Sequence, residues 1–536
     1  MLAMPATLHG QETGAPAVIA APEGAGGPLV GGRGADPLPV RLGGIGFPYT
    51  ALQGEAADPG RAWYFTPSIG IDVIATNNLF QTARDRRSEI FTRITPGVVF
   101  VADMPNLVAD IRYAPSIFLY PTYSSENRIN HLLSAQATAT LVPERVFLDI
   151  RAFSGVQAAS GGFAPEAGGT ASRGNQIQTY DMRVSPYAVL RFGGAAIAHF
   201  GYDFIFSDRS GNAQFIGGQA QPVFVSQSFS AHRGYLLLRS GEDFGRVALL
   251  GRLDGTKFVG TGLYDDAHRA SAYVEARYAI TRNIAVLAGG GYESQAYNGV
   301  PRIRIDEPIW SVGTRLSSAA GSSLVLRYGR RDGFNSAFVD GNVQLGGRTA
   351  LQVRYTDTLT TSALLTQDLL SSTTVDDLGN PIDAQAGARI PFSPMLYSNS
   401  LLAAQSSLMR VRLGTAFLSY LWPRDVVSVG LIYQDQEPVS VTQGTSSFAQ
   451  RGISGAVTWT RELTPILSSV VYLQYGRTTS RAAGDGEILT ASGSLVQRLA
   501  RNLVASVQVL LTQRWSERPG NDISTAMIIA GVRQSF

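Results

Sequence analysis

The chain has no cysteine. Disulfides, thiolate metal sites and cysteine nucleophiles are therefore excluded, although the compartment is not fixed, because many secreted chains also lack cysteine. Charge is scarce: 16% of residues are Asp, Glu, Lys or Arg, against about 25% in ordinary soluble domains. Lys257 is the only lysine, so nearly all the positive charge is arginine. A formal net charge of +3 over 536 residues gives no basic footprint for nucleic acid. No apolar run approaches the roughly 18 residues of a transmembrane helix. The five histidines (His9, His131, His199, His232 and His268) are scattered without metal-ligand spacing, and neither G-x-S-x-G nor H-E-x-x-H occurs. The expectation is a protein with no metal, no cofactor and no enzymatic activity. These absences leave open a Ser–His pair assembled across strands, as in barrel lipases. The opening stretch "MLAMPATLHGQETGAPAVIAAPEGAGG" lacks the basic start and continuous apolar centre of a signal peptide. That reads as a mature form, or as a start lying further upstream.

What the chain does contain is glycine, 58 residues of it, and an ordinary hydrophobic fraction of 44%. Residues 1–61 are rich in Gly, Ala and Pro without helical or strand period, as in a flexible tail. From Trp63 onward, segments of ten to fourteen residues alternate in polarity. In "RVFLDIRAF" (145–153), Val146, Leu148, Ile150 and Ala152 oppose Arg145, Asp149 and Arg151. "SAYVEARYAI" (271–280), "LQVRY" (351–355) and "LMRVRLGTAF" (408–417) repeat the pattern. A period of two is a strand signal, and charge on one face only means that the two faces meet different media. Short turns such as "DMPN", "TRN" and "WPRD" alternate with long polar loops. In an antiparallel meander this puts tight turns at one end and loops at the other, as in outer-membrane barrels.

The reading is an all-β, transmembrane, antiparallel up-and-down β-barrel over 62–536, with about 22 strands (range 18–24). No blade signature recurs at the spacing of a propeller. An even strand number sends the tail and Phe536 to the periplasmic side. Tyr113, Tyr120, Trp310, Tyr420, Trp422 and Trp515, near strand ends, fit interfacial girdles. The terminal "AMIIAGVRQSF" alternates to a final aromatic, like the signal read by barrel-assembly machinery. On this reading Val532 and Phe536 face lipid and Arg533 faces inward.

Charged residues on the other parity are candidates to line the lumen, because lipid exposure would be expensive. They are Arg112, Arg151, Arg183, Arg191, Arg252, Arg277, Arg327, Arg354, Arg410 and Arg412, with Asp72, Asp110, Asp149, Asp254 and Glu275. Two roles stay open: a path for polar, preferentially anionic solutes, or ion pairs with neighbouring strands that stiffen the wall. A barrel this wide is commonly obstructed by a plug or by inward loops. The loop 362–405, with Asp368, Asp376, Asp377 and Asp383, is either such a constriction or a surface loop.

Residues 67–141 resemble the β-barrel porin 2 family, which includes barrels associated with exopolysaccharide systems. The likeness rests on Asn77-Asn78 after the first strand and on Ser88-Glu89 before the second. Pro96-Gly97 within that strand and the Tyr113…Tyr120…Asn127 spacing complete it. Asn77 departs from the Asp more usual there. The resemblance implies an outer-membrane location and a part in moving or anchoring a secreted polysaccharide. The partners it implies are outer-membrane lipid, barrel-assembly machinery, the polysaccharide and periplasmic export proteins. The alternatives are a general diffusion porin for small anions and a blocked barrel that anchors a secretion assembly.

Overall fold

The computed structural model describes residues 62–159, 172–212, 221–318, 322–375, 381–383, 402–481, 484–518 and 522–536. The tail expected over 1–61 and residues 376–380 and 384–401 of the long loop lie outside them. Twenty-four paired segments form one sheet that closes on itself. Two pairs of segments are single interrupted strands: Leu107–Tyr113 resumes as Ser116–Leu119, and Arg128–Asn130 resumes as Leu133–Val142. Both pieces of the first pair with Glu89–Met104, so the barrel has 22 strands, 24 less 2. The first interruption falls at Ala114-Pro115, where proline has no N–H to give to the ladder.

Every strand runs antiparallel to its sequence neighbour, and the first closes on the last. Trp63–Thr76 pairs with Ile523–Ser535 from Ser68↔Ser535 to Thr76↔Met527. The two faces separate cleanly. Along the first strand Ile71 and Val73 are 50% and 49% exposed, while Asp72 and Ile74 are 8% and 0%. Around the wall, Leu236, Leu253, Ala272 and Tyr292 form one register row, and Tyr235, Asp254, Ser271 and Glu293 form the adjacent row on the other face. The outward row is apolar and the inward row is polar. Aromatics bound the outward apolar belt: Trp63, Phe192 and Trp422 stand near the short turns, and Tyr292, Trp310 and Trp515 stand higher. This is a hydrocarbon-facing band, and a closed barrel wearing such a band is the architecture that crosses outer membranes. Tyr120 is a correction. It is 2% exposed and packs inside with Phe91 and Phe118, because it follows the end of its strand and turns back over the lumen. Most strands are 12–17 residues long. A tilted strand needs about 9–11 to cross, so the excess stands above the membrane at the long-loop end.

The seam is built from residues of unusual economy. A Cβ on Gly531 would lie 1.9 Å from Asp72 Oδ1, and one on Gly70 would lie 2.9 Å from Arg533 Nη2. Each glycine thus leaves room for a charged side chain of the opposite strand. Above them, Asn77 N donates to Ala526 O at 3.2 Å, and Ala526 N donates to Asn77 Oδ1 at 2.8 Å. Asn78 Nδ2 donates to Ser524 O at 3.1 Å and to Thr82 O at 2.8 Å. The Asn77-Asn78 pair therefore ties the first strand to the last. Glu89 and Asn127 cap the next turn, accepting from Thr122 N and Tyr120 N. At the other end Phe536 N donates to Pro67 O at 2.9 Å. Val532 and Phe536 are exposed on the outward face, and Arg533 is buried inside.

Candidate functional site

Most charged inward residues form ion pairs. Asp72 pairs with Arg93 at 2.9 Å, and Asp110 holds Arg112 through two bonds of 2.7 and 2.9 Å. Asp149 pairs with Arg151 at 2.9 Å and Asp254 with Arg252 at 2.8 Å. Asp203, fully buried, takes Arg183 at 2.8 Å and Arg233 at 3.2 Å. Glu275 takes Arg327 at 3.0 Å. Three of these pairs lie two residues apart on one strand, where side chains share a face and the long guanidinium reaches its neighbour.

This ionic arc stops at the strand Thr349–Thr360. The inward faces of the next five strands, Ser407–Leu421, Asp425–Val441, Gln450–Thr464, Leu467–Ser480 and Gly486–Ala500, are almost free of charge. They present Gln434, Ser454, Tyr472, Gln474, Thr490 and Ser492, all buried. Glu462 and Arg498 are charged but stand at the short-turn rim. The lumen therefore has an ion-paired arc and an uncharged arc in which these hydroxyls and amides alternate with buried Phe417, Ile432, Ala456 and Ile488. Burial of the wall side chains on both arcs sets this interior apart from the open aqueous bore of a wide porin.

The long loop enters the lumen at both of its described ends. Ser362–Ser372 is an α-helix, where the sequence suggested only a loop. Thr361 caps it, its Oγ1 accepting from Leu364 N at 3.1 Å. Ala363 and Leu364 pack into a cluster with Phe229, Phe258, Tyr264 and Tyr297 from the inner wall. Tyr264 donates to or accepts from Thr361 Oγ1 at 2.6 Å, and burial pushes its phenol up, so it stays protonated. Two wall residues fasten the helix. Arg209, 1% exposed, donates to Ser362 O at 2.6 Å, and also bonds Thr366 Oγ1. Asp181 accepts from Gln367 Nε2 at 2.9 Å and from Ser207 Oγ at 2.7 Å.

The returning segment, residues 402–406, is sewn into other loops at the same end. Ala404 N donates to Ala159 O at 3.1 Å, and Ser406 N donates to Val223 O at 2.9 Å. Gln405 Oε1 accepts from Ser447 Oγ at 2.6 Å and from Phe448 N at 2.9 Å. Gln450 Nε2 donates to Ala403 O at 2.7 Å. Leu402 reaches the opposite arc and packs with Phe417, Ile432 and Tyr472. Ser446 N then bonds Pro222 O, and Val300 pairs with Val441. The long-loop end of the barrel thus carries an interlocked lid, and the lid rests on the helix.

The structure places most of the expected lumen residues on the inward face. Asp72, Asp110, Arg112, Asp149, Arg151, Arg183, Arg252, Asp254, Glu275 and Arg327 are inward and paired as above. Arg277 and Arg354 are inward by register, with Arg354 opposite Asp340. Arg191 has inward parity but sits at the short-turn rim, half exposed, donating to Glu144 O. Arg410 and Arg412 are corrections: they lie on the outward face, in the row that continues to Leu418 and Val429. There Arg410 pairs with Asp357 at 2.6 Å, and Arg412 with Asp435 at 2.8 Å and Glu437 at 3.1 Å. Their positions are above the apolar belt, where outward charge meets no hydrocarbon. Val411 and Phe417 turn inward, and Leu402 of the lid offers Phe417 an apolar surface. Arg209, Asp181 and Gln367 were not distinguished by the sequence. A charge of inward parity in the long-loop half of a strand was the only signal for Arg209 and Asp181, and many residues share it.

No protein-family model matches the chain, and no curated protein matches it. Among solved structures it is similar to the FrpB iron transporter from Neisseria meningitidis, at 11% identity over 90% of this chain and 82% of that one, with a TM-score of 0.48. The ferric-catecholate import receptor Fiu from E. coli K12 gives 10% identity over 87% and 81%, TM-score 0.48. A loop-deleted OmpT, an outer membrane protein of Vibrio cholerae, gives 9% identity over 89% and 100%, TM-score 0.30. At these identities no ligand or activity passes from those proteins to this chain.

Proposed function

We propose that this protein is a gated outer-membrane channel for an exported polysaccharide, closed at its outer end by the Ser362–Ser372 helix and the segment 402–406. The observation that carries the gating is the fastening of the Ser362–Ser372 helix to the inner wall by Arg209 and Asp181. These bonds are non-covalent and polar, so the helix is held without being fixed. The arc of Ser, Thr, Gln and Tyr side chains supports a sugar as cargo, since such groups exchange hydrogen bonds with hydroxyls as the chain slides. The resemblance of 67–141 to barrels of exopolysaccharide systems supports the same class. A diffusion porin for small anions is less well supported, because the inward arginines identified from sequence are largely matched by carboxylates. A barrel serving only as an anchor is the second reading, favoured by the burial of the lumen wall.

Secretion in the native host separates the two. Loss of the protein should abolish surface polysaccharide, and wild-type protein should restore it. The double variant Ala159→Cys/Ala404→Cys, in a chain with no other cysteine, locks the lid where Ala404 N meets Ala159 O. A channel predicts that the locked protein fails to restore secretion until it is reduced. Restoration by the locked protein would leave only the anchor, and undiminished secretion without the protein would end the export reading.

A further inference from the structure

Beneath the helix lies a pocket whose wall includes Arg183, Arg233, Arg269 and Arg331, with Asp254 and Glu293 as its carboxylates. Leu364 and Gln367 of the helix form its roof. A second pocket borders the same Ser271 and Arg331 and adds Arg252, Arg327 and Arg330. Asp203, behind Arg183 and Arg233, serves both of them with one carboxylate. Among the described residues, guanidinium is the commonest charged group here. The rest of the lining is Ser271, Thr256 and Gln295, with Phe258 and Ile205 as apolar floor.

Such a mixture suits an acidic sugar. Guanidinium forks bind planar carboxylates through two parallel bonds. The neighbouring hydroxyls and amide suit ring hydroxyls, and the phenyl ring suits the apolar face of a sugar. We propose that this cavity is a binding site for carboxylate-bearing sugar units, and that the exported polysaccharide is acidic. The inference rests on the channel reading for its biological meaning but not for its chemistry. Since the helix roofs the cavity, a bound acidic unit and the closed helix border the same space. The site is thus placed where cargo is sensed as the gate is reached.

The test is calorimetric binding of an oligogalacturonate to the detergent-purified full chain, beside a neutral maltooligosaccharide of equal length. The acidic oligomer should bind at least about tenfold more tightly, roughly one good bidentate contact. Arg269→Gln/Arg331→Gln should remove that preference while the heat-dependent gel shift shows the barrel still folded. A chain with 362–405 replaced by a short Gly/Asn loop should bind at least as well, and binding seen only in that chain places the site behind the helix. Equal binding of the neutral oligomer would overturn the proposal. So would unchanged binding by the folded double variant, or no binding by either wild type or the loop-shortened chain. The measurement needs neither current nor secretion, so its failure is separate from failure of the channel reading.

Discussion

Replacing residues 362–405 by a short Gly/Asn loop raises the current through planar bilayers by more than about an order of magnitude over wild type, because a barrel of this size without an inward obstruction leaves an aqueous channel. The reason lies in what the loop holds. Its first turn fills the cluster of Phe229, Phe258, Tyr264 and Tyr297, and its return links Ala159, Val223, Phe448 and Gln450 across the opening. The strands that flank it, Thr349–Thr360 and Ser407–Leu421, pair directly with each other through twelve register pairs. The wall therefore survives the deletion. Arg209→Gln should act in the same direction and less strongly, giving brief openings. It removes a buried charge that holds the helix, a loss of about 3 kcal/mol by analogy with broken buried pairs. If the loop-shortened protein passes no more current than wild type, the obstruction lies elsewhere.

The second large effect is on assembly. Gly531→Leu should prevent closure, since its side chain must occupy the place of the Asp72 carboxylate, 1.9 Å from where the first added carbon would sit. The expected result is a chain recovered as unfolded monomer or aggregate, without the gel shift of a folded barrel. An unclosed barrel also presents two unpaired edges, which in lipid cost several kcal/mol per orphaned backbone group. Phe536→Ala should behave differently. Phe536 is 70% exposed on the outer rim, and its bond across the seam is made by backbone, N to Pro67 O. Its loss should slow insertion in cells yet leave a refolded barrel with nearly wild-type thermal stability. Asn78→Ala falls between, losing the side-chain bonds to Ser524 and Thr82, about 1–3 kcal/mol. Equal insertion of the Phe536 variant in cells would remove the terminal-signal reading.

How far the sequence reveals this protein depends on where each residue stands relative to the membrane. Within the belt, the two faces meet lipid and lumen, and alternation in "RVFLDIRAF" correctly separates Leu148 and Ile150 from Asp149 and Arg151. Above the belt the same logic inverts. "LMRVRLGTAF" has equally regular alternation, but Arg410 and Arg412 point out into the polar zone while Val411 and Phe417 turn inward, Phe417 packing with Leu402. Polarity alone cannot report height in the membrane. The closing strand was legible through Val532 and Phe536, because its parity continues to the end. The helix carries a local signal in Thr361 followed by "SALLTQDLL", though a short helix inside a long polar loop has little to mark it. The latch was not legible. Arg209 meets Ser362 across 153 residues of sequence, and such a contact follows only from the barrel's curvature and the loop's inward path. Nor does spacing reveal that Asp203 serves two arginines from neighbouring strands.

On the channel reading, the segment 402–406 seals the lumen by joining loops on opposite sides of the opening. Bilayer recordings of Ala159→Cys/Ala404→Cys test it directly, because the native chain supplies no competing thiol. With the disulfide formed, openings at applied voltage should vanish, and they should return to the wild-type pattern on adding a thiol reductant. Steady current through the cross-linked protein would mean that the lid, however well bonded, does not close the channel.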